Sequence, residues 1–457
     1  MVTANQRSAQ FGHPLALVRH TMGWSYQGLV DEIARQAARM PEIGNMAARR
    51  EKAWRWEHWG VVPDRGTQLA LAALLGVPRS ELDRCPWPRW LPAGDRIRAD
   101  HPWTTAGNLA TLGETLECAV DDRRGFLVLA DTPLGGLVGQ WLSVEPAKVE
   151  AVVTGRDRAD SEILDWIEAR VSMLRRMDDR LGGTRLRHLV DAELRLVVGL
   201  LASGGLGSAL TGRLCRASAE VAQLGGWVSF DVGLHAAAQR YYVAALHAAQ
   251  QAGDRLLGAS VLAGMSLQST TMGEPGDGLA LAQASVEGAG GVATPRVQAM
   301  LATREARAQA ALGDQAACAA ALTRAHGALD RAAPGDPDPG WIYYFDGAEL
   351  AAQAGACWLE LRSPPDAVRY LDDALRRQDP AYVRDRAIYH IRLASAQVAM
   401  GEMEAGCATA AEGVTLAQRG RSPRSLAAAR ELRRRLEPWR RERPVRELDD
   451  VLATSVA

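Results

Sequence analysis

LGGWVSFDVGLHAAAQRYYVAAL, residues 224–246, decides the fold because it recurs. It can be laid over MSLQSTTMGEPGDGLALAQASVE (265–287), ARAQAALGDQAACAAALTRAHGAL (306–329), WLELRSPPDAVRYLDDAL (358–375) and AQVAMGEMEAGCATAAEGV (396–414). In that register a small residue returns at Ala238, Gly278, Cys318, Ala367 and Gly406, at spacings of 40, 40, 49 and 39. A turn residue stands five before most of them, at Gly233, Gly273, Gly313 and Gly401, with Arg362 the exception; seven after them stand Ala245, Ser285, Ala325, Ala374 and Gly413. A helical hairpin explains the pattern. Small residues at fixed places let two helices approach and let each hairpin nest on the next. APGDPDPG (333–340) reads as a loop insertion inside the longest spacing.

The repeat resembles the tetratricopeptide repeat, with a longer period and most of the large aromatic positions lost. Outward from it, the chain beyond about residue 105 reads as alanine- and leucine-rich helices punctuated by Gly, Pro and Asp. Ile163, Ile167, Val171 and Leu174 fall at helical spacing, as do Leu186, Leu189, Val190, Leu194 and Val197, which predicts two packed helices over 158–202. CPWPRWLPAGD (85–95) holds three prolines in eleven residues and marks a domain boundary near residue 90.

The first 90 residues read as several short helices. PLALVRHTMG carries Leu15, Val18 and Met22 as one apolar stripe. Ser25 is an N-cap for YQGLVDEIARQ, with Leu29, Val30 and Ile33 inward. ARREKAWRWEHWG sets Ala53 and Trp56 on one side and basic residues on the other, and TQLALAALLGVP closes at Gly76 with Pro78 beyond.

That order of elements resembles the Cro/C1-type helix-turn-helix, carried here by Trp24-Ser25, Trp56-Glu57, Pro63 and Leu74-Leu75-Gly76-Val77 over about residues 12–83. With WVSFDVGLHAAAQRYYVAAL, ATPRVQAMLATREARAQAALGD and DPGWIYYFDGAEL, the whole chain is similar to actinobacterial regulators joining that domain to a tetratricopeptide-like one, including negative regulators of sporulation and antibiotic production. A more distant likeness is to peptide-sensing quorum regulators. The resemblance implies an all-α chain: a helix-turn-helix domain (12–83), a linker (84–105), a helical connecting region (106–205) and an α-solenoid of degenerate repeats (206–440).

Composition bounds the function. The chain has 457 residues, 47% of them apolar, enough for real cores, and 53 basic against 54 acidic side chains. Charge must therefore act locally. Residues 1–100 hold 14 basic and 10 acidic groups, the other 357 hold 39 and 44. Six scattered cysteines without a CxxC pair argue against a structural zinc or a disulfide framework and fit a reducing cytoplasm. The amino terminus lacks a signal-peptide pattern, and no run approaches the length of a membrane span. Nothing matches a phosphate-binding loop, an HExxH or a GxSxG, so an enzyme, a metal site or a cofactor is not expected.

The expected function is a cytoplasmic, DNA-binding transcriptional regulator, of development or secondary metabolism. Arg49, Arg50, Lys52 and Arg55 would face the major groove or its phosphates, and Ser25 and Tyr26 would meet a phosphate at the start of the second helix. The repeat's concave face would hold a peptide, small molecule or protein partner through Gln223, Trp227, Phe230, Asp231, Arg307 and Glu349, although Trp227, Phe230 and the run WIYYFD (341–346) fit core packing equally well. A homodimer would supply operator symmetry. The alternative is a non-DNA-binding repeat adaptor that sequesters another regulatory protein.

Overall fold

The computed structural model describes residues 13–22, 24–44, 46–59, 61–75, 77, 79, 82, 87–88, 90–91, 97, 100–118, 131–145, 157–181, 183–205 and 207–453. Among them every regular element is a helix, and none is long and apolar enough to cross a membrane. They form two compact units. Described residues up to Ile97, with Leu234–Ala236, make the first, and the rest make the second.

The first unit holds α1 (Pro14–Thr21), α2 (Tyr26–Ala38), α3 (Arg50–His58) and α4 (Arg65–Leu74). Its core is the apolar set expected from periodicity: Leu15, Val18, Leu29, Val30, Ile33, Ala53 and Trp56, closed by Leu71 of α4. Ser25 caps α2 as anticipated, its Oγ accepting from Gly28 N at 3.0 Å. Met22, expected in the α1 stripe, is 46% exposed because the helix has ended one residue earlier. Gly76 and Pro78 lie outside the described residues, as does most of the 84–105 linker. Of that segment, Trp90 and Leu91 are buried in this core, and the Trp90 indole donates to Gln68 Oε1 at 3.1 Å.

The second unit begins with α5 (Thr105–Cys118), α6 (Asp131–Ser143), α7 (Asp157–Leu181) and α8 (Gly183–Ser203). The stretch expected to carry two packed helices does so. Ile167, Val171 and Leu174 of α7 and Leu186, Val190, Leu194 and Val197 of α8 are buried. Ile163 and Leu189, expected among them, are 42% and 47% exposed, each one helical step off that face.

Five helix pairs follow: α9 (Ser208–Asp231) with α10 (His235–Gln251), α11 (Arg255–Thr271) with α12 (Pro275–Ala289), α13 (Pro295–Leu312) with α14 (Gln315–Asp330), α15 (Gly347–Glu360) with α16 (Pro364–Arg377), and α17 (Val383–Ala399) with α18 (Met403–Arg419). α19 (Pro423–Arg435) and α20 (Arg443–Ala453) cover the last pair. A series of packed pairs of this kind is consistent with an α-solenoid.

All ten small positions of the repeat are buried. The reason is close approach: a Cβ added at Gly406 would stand 2.6 Å from Val398 Cγ2, and one at Gly413 would stand 2.8 Å from Ile391. The turn positions are equally consistent. Gly233, Gly273, Gly313 and Gly401 take φ of +80°, +89°, +81° and +85°, the left-handed conformation that ends a helix and lets the chain reverse. Arg362 takes the same conformation at φ +57°, so the backbone keeps the turn where the sequence has lost the glycine. Its side chain is exposed. Arg362→Gly is therefore expected to stabilise the unit by about 1 kcal/mol, the cost of a left-handed residue bearing a Cβ. A urea midpoint unchanged or lowered in that variant would contradict the assignment of this turn.

Candidate nucleic-acid interface and concave repeat face

α3 is short and strongly sided. Ala53, Trp56 and Glu57 face inward, while Arg50 and Arg55 are exposed and Lys52 is half-buried at the boundary. Arg49 is exposed in extended backbone at the N-cap position. What fixes the face is a buried ion pair absent from the sequence reading. Arg19 of α1 donates from Nε to Glu57 Oε1 at 2.7 Å and from Nη2 to Oε2 at 3.0 Å, and from Nη1 to the Trp24 carbonyl at 3.3 Å. The side chains are 8% and 1% exposed, so the fork ties α1 to the last turn of α3 and sets its rotation.

The α2 start lies beside the end of α3. The Tyr26 ring is 6.2 Å from that of His58 and lies under the Arg19 guanidinium at 3.9 Å. Burial raises the Tyr26 hydroxyl's pKa, and the Glu57 carboxylate adds to it. Ser25 is exposed but its Oγ is occupied by the cap. The structure thus brings Ser25, Tyr26 and α3 into one neighbourhood, with Arg49, Arg50 and Arg55 as exposed cations and exposed Glu51 ion-paired to Arg50 at 3.5 Å. It adds aromatic surface: Trp54 stacks on His58 at 4.7 Å, meets Trp59 edge-on at 5.1 Å, and Arg55 lies 5.5 Å from the Trp59 ring. Trp54 and Trp59 are 38% and 65% exposed.

In the second unit the six residues expected on an open concave groove separate into two groups. Gln223, Trp227, Phe230 and Asp231 of α9 are engaged by other elements of the same unit. The Trp227 indole donates to Asp178 Oδ2 of α7 at 3.0 Å, and Gln223 Oε1 accepts from Arg175 Nη2 of α7 at 3.1 Å. Phe230 and Asp231 are 2% and 1% exposed, so they are interior groups and not contact points of an open surface. Arg384, at the start of α17, forks onto Asp178 at 3.1 and 2.6 Å and reaches Asp231 Oδ2 at 3.1 Å. Arg424 of α19 adds a contact to Asp231 Oδ1 at 3.2 Å and lies over the Trp227 and Phe230 rings. Burial pushes the Asp178 carboxyl's pKa up against the pull of Arg384.

α7 therefore crosses from the first helix pair to the fifth. Tyr343, whose hydroxyl donates to Asp179 Oδ2 at 2.6 Å, ties it to the loop before α15. The rest of WIYYFD is packing: Trp341, Ile342 and Phe345 are buried, and Asp346 caps α15 through bonds from Ala348 N and Glu349 N. Arg307 and Glu349, the remainder of the predicted set, are half-buried, as are Gln223 and Trp227. Glu349 accepts from the Gln353 amide at 2.8 Å and from the Tyr389 hydroxyl. Among the described residues no group of three or more His, Cys, Asp or Glu is placed to hold a metal ion. No protein-family model matches this chain, and no curated protein matches it.

Proposed function

We propose that the protein is a DNA-binding transcriptional regulator with a Cro/C1-type helix-turn-helix in its first unit and a tetratricopeptide-like sensor in its second. One observation carries the reading: α3 turns Arg50 and Arg55 outward, with Arg49 at its start, while a buried Arg19–Glu57 fork holds the opposite side against α1. A rigid helix with forked donors on its free face is what major-groove readout requires. Arg49, Arg50 and Arg55 would read guanine edges or anchor phosphate, and Lys52, Ser25 and Tyr26 would meet the backbone beside them. The repeat unit would hold a peptide, small molecule or protein whose binding shifts the DNA-binding form. A homodimer belongs to this reading, and the exposed Ile163, Trp166 and Met173 on α7 supply apolar surface for it.

A second reading is a repeat adaptor that binds a regulatory protein and not DNA. It is favoured by the exposed Trp54 and Trp59, since exposed tryptophan beside arginine is the composition of protein interfaces. The deciding experiment is selection of duplex fragments from a genomic pool by the full chain and by an Arg50→Ala/Arg55→Ala variant. Enrichment of a defined sequence by the first and not by the second, with matching circular dichroism, supports the regulator. No enrichment by the native chain sinks it.

A further inference from the structure

The arginines of the repeat interior do not balance. Arg384 is consumed by Asp178 and Asp231, and Arg424 by Asp231. Arg304, Arg307 and Arg392 make no ion pair among the described residues. Arg304 and Arg307 stand one turn apart on α13 and leave the helix on one face. Arg304 is 5% exposed and meets the Tyr344 hydroxyl, yet its Nε and Nη1 find no hydrogen-bond partner; Arg307 meets the Cys357 thiol, and its Nε finds none. Arg392 of α17 makes no hydrogen bond or ion pair among the described residues, and burial, with Arg307 and Arg424 beside it, pulls its pKa down to about 9.

The nearby carboxylates do not compensate. Glu349 is committed to Gln353 and Tyr389, and burial, with Glu349 beside it, pushes the Asp385 carboxyl's pKa up and weakens it as a counter-charge. The Tyr242 hydroxyl, 1% exposed and also without a partner, feels the Arg304 charge. Buried donors left unpaired, with like charges drawn close to them, are costly unless an anion completes them.

We propose that this face of the repeat unit is the binding site of a small anionic ligand, its phosphate or carboxylate groups clamped by Arg304, Arg307 and Arg392, with Tyr242 as a further donor. The inference rests on the reading of the repeat unit as a sensor and names the chemical class it senses. A small ligand is specified because α7, pinned at Asp178 and Asp179, already crosses the unit and denies an extended chain the α9 side of the face.

The test is calorimetric titration of the full chain with inorganic pyrophosphate and, separately, with citrate, at ionic strength fixed with sodium chloride. Saturable one-to-one binding tighter than roughly 1 mM is expected for at least one of them, pyrophosphate marking a phosphate ligand and citrate a carboxylate. Arg304→Gln and Arg392→Gln should each weaken that binding about tenfold or more, while exposed Arg331→Gln leaves it unchanged. Absence of saturable binding to both probes overturns the site, as does binding that the two variants leave intact. DNA affinity is measured in the same samples. Anion binding that leaves DNA affinity unaltered keeps the site and removes its sensor role, whereas normal DNA binding without anion binding removes the site alone.

Discussion

Replacing Arg384 with methionine is expected to destabilise the second unit by about 3–5 kcal/mol, the usual consequence of removing one partner from a buried ion pair. Arg384 is the single cation shared by Asp178 of α7 and Asp231 of α9, and the three side chains are 8%, 4% and 1% exposed. Methionine fills much of the volume but leaves two buried carboxylates with Arg424 as the one cation bonded to Asp231. The loss should be smaller at pH 5 than at pH 7, because a carboxyl already raised by burial escapes the penalty by taking a proton. Restoring charge balance with Asp178→Asn in the same chain should recover part of the stability. Urea denaturation reads all three, and a loss below about 1 kcal/mol for Arg384→Met would mean that α7 is not held by this network.

Acid should destabilise the same unit through His247. Its ring is 1% exposed, stacks on Trp103 at 4.1 Å with 7° between planes, and has no hydrogen bond at either nitrogen. Burial, helped by the nearby His101, lowers its pKa from 6.5 to about 4. The folded value lies below the unfolded one, so between these pH values the unfolded chain takes up a proton that the folded chain refuses. Stability is complete above pH 6.5 and is lost as pH falls, by about 2 kcal/mol at pH 5 and about 3 kcal/mol by pH 4. His247→Phe keeps the stacked ring and removes the titration. The variant should match the native chain at pH 7 and exceed it by about 2 kcal/mol at pH 5. His235, with a similar shift, and Asp385, shifted in the opposite sense, are common to both proteins and cancel in the difference. Equal pH dependence of the two chains would show that His247 is solvated in the fold.

The repeat was legible because helical hairpins impose local constraints on single residues. A left-handed turn asks for glycine and a close helix crossing asks for a small side chain, so Gly273 and Gly278 report their own surroundings. Arg362 shows the limit of that logic, since the packing on either side preserves a turn whose glycine is gone. The α7 crossing was not legible. Asp178 stands in the last turns of α7, and its partner Arg384 lies 206 residues away, where no periodicity links the two. The four α9 residues expected on an open groove show the same limit: their offsets fit an inward face, but Phe230 and Asp231 are buried and Gln223 and Trp227 half-buried because α7 and Arg384, from elsewhere in the chain, cover that face. In the first unit, the basic side of α3 followed from spacing, because Ala53 and Trp56 had to face in. The Arg19–Glu57 fork did not, because a charged side chain is read as exposed until a partner is seen.

Whether the exposed arginines on α3 hold duplex DNA is read from the salt dependence of binding to a selected duplex by the full chain. Affinity should fall steeply and log-linearly with salt, and Arg50→Ala and Arg55→Ala should each weaken binding, by about 1–3 kcal/mol where the arginine reads a base, or with a salt slope shallower by about one where it holds a phosphate. A native chain whose binding is unsaturable, or whose affinity and slope are untouched by both substitutions, would show that α3 does not hold DNA.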